Sequence, residues 1–413
     1  MTAARARLRV LLHSPYYAPE LISVGRYNTE AAQWLAARGH EVRVITAAPH
    51  YPAWRTPEGW SAWRYTREQL QGVDVRRCPA WIPRRPGGVA RTLYALSHAA
   101  SSLPLLLAAS SHWRPHVVLA VEPPLLSYLP AWLAARAAGA RAWLHVQDLE
   151  VDAAFDLGIV RGRLVRRLAL AFESTLLRSA DQVSTISASM AQRLCSKGLP
   201  PARVAVFPNW VSALPPDPPG LDYRRDLGIP TGARVALYAG NMADKQGLET
   251  IVAAAQRLQA RPDLWFVLVG EGTARASLQA AAAGLPRVRF LPLQPAAHLG
   301  ALLRIAHVHL LPQRAAAADL VMPSKLGPMF ASARATVAGA HAHTELAAVV
   351  AGRGLVVPPE DAAAFADAIA TLCDDPALAA RLGEAARAWA ERELAQDAVL
   401  GRLEAALLEL ARR

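Results

Sequence analysis

The 413-residue chain reads as an α/β protein of two doubly wound domains facing across a cleft, and three observations predict this. Short β-branched or apolar runs alternate with helical patterns along the whole length, the pattern of parallel sheets covered by helices. The alternation is interrupted by the proline-dense stretch 208–220, PNWVSALPPDPPG, and then starts again. The length also exceeds what one ordinary core accommodates.

In the first half, residues 7–13 read as a strand and 29–38 as a helix, with Gly39 just past its end. Strands follow at 41–46, 73–78, 117–121, 142–146 and 182–186, with helical patterns at 126–138 and 164–178 among them; 204–207 closes the series. The second half repeats the scheme, with strands near Val235, Leu264, Val288, Val308 and Thr336 and a long terminal helix from Asp361 onward. The expected divisions are an N-terminal Rossmann-like domain at 1–208 and a C-terminal Rossmann-like domain at 221–390. Residues 391–413 form a C-terminal helical segment able to pack back on the N-terminal domain.

Hydrophobic residues make up 53 % and charged residues 19 %, which describes a globular chain and excludes a disordered one. The net charge of +12 favours an acidic partner: a nucleotide, a nucleic acid or an anionic membrane. Cys78, Cys195 and Cys373 are too few and too scattered for a disulfide framework or a metal site, and fit a reducing compartment. Arg5, Arg7 and Arg9 precede an apolar stretch too short for a signal peptide. No run reaches the length of a membrane span; the best, 93–109, is broken by Ser97, His98, Ser101, Ser102 and Pro104. Arg84, Arg85 and Arg91 lie just before it, with Trp81 and Tyr94 interleaved. Such a basic cluster beside an apolar stretch suits a membrane surface, and equally a loop leading into a core helix.

Doubly wound sheets bind ligands at the carboxyl ends of their strands, so the loops there are where chemistry is sought. In VALYAGNMADKQGLETIVAAA, residues 235–255, a strand turns through Gly240 toward a helix. Such a turn presents unpaired backbone N–H groups to an anion, and Asn241, Lys245 and Gln246 add side-chain donors. A second candidate anion site is Ser324-Lys325, within MPSKL. One diphosphate held from two sides would use both; a helix N-cap at Ser324 and a solvated Lys325 are the structural alternatives. In the first half, Gly25 lets backbone N–H groups approach phosphates closely. Asp148 opens an acidic run after the strand ending at Val146 and is a candidate for orienting an acceptor hydroxyl or taking its proton. His145, within that strand, stands beside it as a second catalytic candidate, with a satisfied core histidine as the alternative. Tyr17 and Glu20 are candidate acceptor contacts. No His, Cys, Asp and Glu spacing reads as a metal site.

YYAPELISVGRYNTEAAQWLAARGHEVRVITAAPHYPAW resembles the opening of glycosyltransferase family 4 enzymes, particularly the colanic-acid-type exopolysaccharide fucosyltransferase branch. The similarity continues through SAWRYTRE, HVQDLEVDA, STIS, FPNW, YAGNMADKQGLE and DLVMPSKL, covering nearly the whole chain. It implies a GT-B fold of two Rossmann-like domains and transfer of a sugar, fucose as first guess, from a nucleotide-sugar donor such as GDP-fucose. It also implies a lipid-linked saccharide acceptor, retention at the transferred carbon, no metal, and no cofactor, since the nucleotide-sugar is a substrate. The expected location is cytoplasmic, peripherally on the inner face of the plasma membrane. The chain departs from the wider family where Asn241 takes the place of an Arg and Gln246 that of a Lys, with Lys245 one position early. The family's paired glutamates fall near Leu320 and Pro328; only Asp319 is acidic nearby.

Gly270-Glu271-Gly272 follows a strand but meets Arg275 where a dinucleotide fingerprint needs its third glycine, which argues against an oxidoreductase. No recognisable nucleic-acid module accompanies the basic charge. A non-catalytic nucleotide- or sugar-binding regulator on the same fold is the remaining rival.

Overall fold

Strand-forming residues of the first half assemble into one sheet, and those of the second half into another. The computed structural model describes residues 7–20, 24–152, 162–212, 214–243, 246–315 and 322–413. Contacts divide it into a first unit, Met1–Pro208 with Val399–Arg413, and a second, Asn209–Ala398.

The first unit runs β1 Arg9–His13, α1 Val24–Ala37, β2 Glu41–Ala47, β3 Thr66–Leu70, β4 Val73–Cys78, α2 Gly88–His112, β5 Val117–Glu122 and α3 Tyr128–Ala138. It continues with β6 Arg141–Val146, α4 Arg163–Ser179, β7 Gln182–Thr185, α5 Ala188–Ser196 and β8 Val204–Val206. Among the described residues these form an eight-stranded sheet, ordered β3-β4-β2-β1-β5-β6-β7-β8. All pairs are parallel except β3 with β4. Every residue of β5 is buried, as befits a strand covered on both faces. The order reverses between β1 and β5. Parallel crossovers are right-handed, so the connection through α1 lies on one face and those through α2, α3, α4 and α5 on the other. The packing agrees: α2 lies against α3, and α3 against α4.

The edge strand β3 is absent from the sequence reading because TREQL contains no apolar run. Its signal was the turn: Gln71 and Gly72 both have positive φ (47° and 83°), as a tight hairpin requires. The membrane expectation is also corrected in part. The helix around 93–109 extends to 25 residues and is long and apolar enough, by length and composition, to cross a membrane. Hydroxyls read as breaking it fold back onto the helix: Ser97 donates to Tyr94 O and Ser102 to Ala99 O. One face, with Tyr94, His98, Ser102 and Leu106, is buried, so α2 occupies the place of a layer helix.

The second unit runs α6 Tyr223–Asp226, β9 Arg234–Ala239, α7 Glu249–Arg257, β10 Leu264–Val269, α8 Arg275–Ala281, β11 Val288–Leu291, α9 Leu299–Arg304 and β12 Val308–Leu311. Then follow α10 Leu326–Ala331, β13 Ala335–Gly339, α11 Glu345–Val350, β14 Leu355–Val357, α12 Ala362–Asp374 and α13 Pro376–Glu393, after which α14 Gln396–Arg412 belongs to the first unit from Val399 onward. Its parallel sheet has the order β11-β10-β9-β12-β13-β14 and reverses between β9 and β12. Alternation along β9 feeds two cores: Ala236 and Tyr238 join one cluster, Val235 and Leu237 the other. The single long helix expected from Asp361 is instead three. Pro376 lacks the N–H an interior position needs, so it starts α13, with Asp375 accepting from Leu378 N.

The last helix is tied into the first unit by Glu404, whose carboxylate meets Arg38 Nε at 2.8 Å and His40 Nε2 at 2.9 Å. The other ring nitrogen of His40 accepts from Leu8 N–H, so Nε2 is the protonated one. His40 and Glu404 are buried. Glu404→Ala strands both partners and should lower the stability of the first unit by roughly 2 kcal/mol, read as a lower urea midpoint.

Candidate active site

Two groups of side chains stand at the carboxyl ends of the sheets, one in each unit. Each includes a loop that leaves a strand where the strand order reverses, after β1 in the first unit and after β9 in the second.

In the second unit β9 ends at Ala239, and Gly240 turns the chain out of the sheet. Lys325, just before α10, lies over this turn. Its Nζ donates to Tyr238 Oη at 2.7 Å and to Gln246 Oε1 at 3.1 Å, and sits 4.4 Å from the centre of the Tyr238 ring. Tyr238 in turn donates to Asn241 O at 2.6 Å, so the phenol joins the ammonium to the turn. A Cβ on Gly240 would lie 3.0 Å from that Nζ, so a side chain here would crowd the cation. Gly240, Asn241, Gln246 and Lys325 are therefore brought together as expected from the sequence. Lys245 and Asp319 lie outside the described residues. Ser324 is exposed and makes no capping bond, which removes the N-cap alternative. The helix after it has six residues, so the site's positive charge is the Lys325 ammonium rather than a helix end. Tyr238 was missed because it reads as one more apolar position in VALYA.

The Gly270-Glu271-Gly272 run has a packing role. A Cβ on Gly270 would lie 1.9 Å from Gly240 O, and one on Gly272 would lie 2.4 Å from Met242 O. Main-chain bonds lace the two loops: Gly240 N to Val269 O, Met242 N to Glu271 O, and Ala274 N to Met242 O.

In the first unit the loop after β1 carries Glu20 inward. One carboxylate oxygen, Oε1, accepts from His50 N at 2.7 Å and Tyr51 N at 2.8 Å; the other is buried without a hydrogen-bond partner. Burial outweighs those bonds and the nearby Arg77, and the Glu20 carboxyl is pushed up to about 7. Gly25 stands in the first turn of α1, where a Cβ would be 3.0 Å from Glu20 O and 3.1 Å from its Cβ. The structure shows Gly25 closely packed against Glu20. Tyr17 is corrected: its side chain is buried, and its ring is core rather than a surface for an acceptor. The partly exposed rings are Tyr16 and Tyr51, with Trp54 beside them: Tyr16 stacks on His50 at 5.6 Å, and Tyr51 meets Trp54 at 6.4 Å.

Asp148 follows β6 and is half-buried; its charge bears on Tyr51, Glu122 and Glu150. Burial raises Glu150 to about 7, and its Oε2 accepts from Leu125 N. Burial also holds Glu122 well above the usual carboxylate range, with Glu150 adding to the effect. Asp152 pairs with Lys197 at 2.6 Å, and Lys197 also contacts Glu173; the arginines at the start of α4 are not its partners. His145 departs from the catalytic expectation. Its Nδ1 lies 2.8 Å from Ser184 Oγ and its Nε2 3.2 Å from the Gln147 amide, so both nitrogens are engaged. Trp143 donates to the same Ser184 oxygen at 2.8 Å, and because the Gln147 amide N–H donates to Nε2, the ring proton sits on Nδ1 and is donated to Ser184 Oγ. Burial holds the imidazole neutral, with a pKa of about 4. His145 thus positions Gln147, next to Asp148. Among the described residues no cluster of His, Cys, Asp and Glu could hold a metal ion.

These two sites sit on a known scaffold. The Glycosyl transferase 4-like domain matches residues 24–210 and the Glycosyl transferases group 1 family matches residues 221–389. The chain is 40 % identical over 408 residues to WcaI of Escherichia coli K12, a protein assigned to colanic acid biosynthesis as a glycosyl transferase; the match covers 95 % of this chain and 98 % of WcaI. In fold it is similar to sucrose-phosphate synthase from Thermosynechococcus elongatus (TM-score 0.76, 20 % identity, 98 % and 99 % of the chains covered). It is also similar to Anabaena HepE, solved with UDP-glucose (TM-score 0.71, 14 % identity, 98 % and 100 % covered). The fold and these matches define a GT-B glycosyltransferase. The chain belongs to the glycosyltransferases with a family 4-like N-terminal domain and a group 1 C-terminal domain.

Lys325→Ala removes a preorganised cation from beside the glycine turn and should lower turnover by about 10²-fold at saturating donor, read by nucleoside diphosphate release. The raised Glu20 pKa has a stability signature. Below pH 4.5 this carboxyl is protonated folded and unfolded; between 4.5 and about 7 only the folded chain keeps the proton. Its contribution therefore falls as pH rises through that window. Glu20→Gln should match wild type near pH 5 and exceed it at pH 8 by roughly 1–2 kcal/mol, measured as urea midpoints at the two pH values.

Proposed function

We propose that this chain transfers a hexosyl group, fucose first among the candidates, from a nucleotide-sugar to a lipid-linked saccharide during bacterial exopolysaccharide assembly. GDP-fucose is the first donor to test. The reading makes the enzyme cytoplasmic and peripheral to the inner face of the plasma membrane, retaining, and independent of metal. The observation that carries it is the Lys325 ammonium, held by Tyr238 and Gln246 over the Gly240 turn. The 40 % identity to WcaI supports the exopolysaccharide setting.

Breaking the bond between a sugar and a diphosphate sends the electron pair to a phosphate oxygen while positive character grows on the sugar carbon. A fixed cation beside that oxygen lowers the barrier because it does not reorganise during the step. In this reading Lys325 meets the departing diphosphate, Asn241 offers a donor to it, and Gly240 gives the ammonium room beside the turn. Gln246 holds the ammonium in place, Ser324 adds a hydroxyl, and Lys245 adds a second cation. Gly25, without a Cβ, lets backbone N–H groups come close to a phosphate. Tyr16, Tyr51 and Glu20 receive the acceptor, whose hydroxyl bonds to the sugar carbon as its proton passes to Asp148.

The test mixes protein, a lipid-linked saccharide and a panel of nucleotide-sugars, and follows free nucleoside diphosphate and the elongated lipid product. Release that depends on acceptor, greatest with GDP-fucose and unchanged by EDTA, is the expected result. Loss in EDTA restored by magnesium or manganese would overturn metal independence. A donor that shifts the melting temperature but is never turned over would make the chain a binder rather than an enzyme.

A further inference from the structure

We propose that the outer face of the α2–α3–α4 layer is the surface on which the protein lies against an anionic bilayer, with α4 as its main anchor. This rests on the membrane reading above and gives it a definite place on the molecule.

Large hydrophobic side chains on the outside of this protein are not scattered. Of the fifteen that are exposed among the described residues, ten lie on α2, α3 and α4. From α2 come Val89, Leu93, Leu96 and Leu107; from α3, Leu129 and Leu133. Three more border α2: Trp81 N–H donates to Ser97 Oγ, Tyr65 Oη donates to Ser101 O, and Trp63 is two residues before Tyr65. The helices share one face of the sheet, so these side chains belong to one layer. Isolated exposed leucines need no explanation, but a layer of them marks an interaction surface.

On α4 the arrangement is sharpest. Leu164, Leu168 and Phe172 recur every fourth residue, with Val165 beside them; Leu164 is 69 % and Leu168 62 % exposed. Arg163 and Arg167, one turn apart, flank this stripe, and Arg166 is exposed as well. The inward side of the helix is a different set, with Glu173, Leu176 and Leu177 buried. An apolar stripe bordered by arginines is the form of a helix lying in the plane of a membrane interface, its basic heads reaching lipid phosphates.

Charge selects the occupant. Neither α2 nor α3 contains an Asp or Glu, and the one acid on α4, Glu173, is buried against Lys197. The layer thus offers arginines and no exposed carboxylate of its own to whatever covers it, which matches anionic lipid. The basic cluster before α2 contributes less than its sequence suggests. Arg91 lies over the Trp54 ring at 5.4 Å and its charge bears on Tyr51 and Glu150, so it faces the acceptor-side cluster. Arg84 and Arg85 remain exposed at the margin.

The test is cosedimentation of the full chain with phosphatidylglycerol–phosphatidylcholine vesicles and with phosphatidylcholine alone, without donor or acceptor. Wild type should bind the anionic vesicles far better. Changing Arg163, Arg166 and Arg167 to Gln should weaken partitioning by about a hundredfold at low salt, with the difference shrinking as salt screens it. Changing Leu164, Leu168 and Phe172 to Ser should abolish binding at every salt concentration. All three substituted side chains are exposed, so the melting temperature should hold, and transfer to a water-soluble acceptor analogue should equal wild type. Either triple variant sedimenting as wild type overturns the assignment, as does a wild type that ignores anionic vesicles. A wild-type dimer that the Leu164, Leu168 and Phe172 changes convert to monomer would assign the surface to a second copy instead. Failure here with diphosphate release intact removes the docking surface and leaves the transferase; the converse removes the transferase alone.

Discussion

Everything else in this protein depends on the requirement that a parallel strand be reached by a crossover of one hand. A chain that builds outward in one direction and then in the other must place its helices on opposite faces. Where the strand order reverses, the two neighbouring crossovers part, and the carboxyl ends of the strands are left open. In the first sheet that opening lies between β1 and β5, and in the second between β9 and β12. Glu20 follows β1 and Gly240 follows β9. The two candidate groups are thus consequences of topology before they are consequences of chemistry.

The same topology gives the two faces of the first sheet different tasks. The connection through α1 occupies one face, and the last helix is held nearby through Glu404, Arg38 and His40. The other face receives four consecutive crossovers, through α2, α3, α4 and α5, and so acquires a broad outer surface. A layer helix needs only its inward stripe apolar. Further apolar residues outside, as on α4, are not required by the core and call for a role of their own.

How much of this was legible follows from which interactions are local. The strands were visible because each is a short β-branched run, and the glycine turn because Gly240 interrupts VALYA. The pairing of Gly240 with Lys325 was legible as chemistry, two anion sites in one half, although the residues are far apart in sequence. Tyr238 was not, since a tyrosine that orients a lysine through space looks the same in sequence as one that fills a core. The strand β3 was hidden because an edge strand can be polar throughout. His145 and Tyr17 were misread for a related reason. Residue type suggested chemistry, whereas Ser184 and Gln147 engage the imidazole and the surrounding core encloses the phenol. The buried carboxyl of Glu20 shows the converse, because its two N–H donors come from a loop some thirty residues away.

The lacing of the 240–242 and 270–274 segments has a consequence for how the second unit meets a ligand. The backbones approach too closely for any Cβ at Gly270, and their amides and carbonyls are paired with one another. Neither segment can swing without breaking those pairs, so the two behave as one stiff plate rather than as separate flaps. A guest touching one loop is resisted by both, and little ordering entropy is left to lose on its arrival. Discrimination on such a plate works by rejection: a molecule of the wrong outline meets a wall instead of a surface that adapts to it.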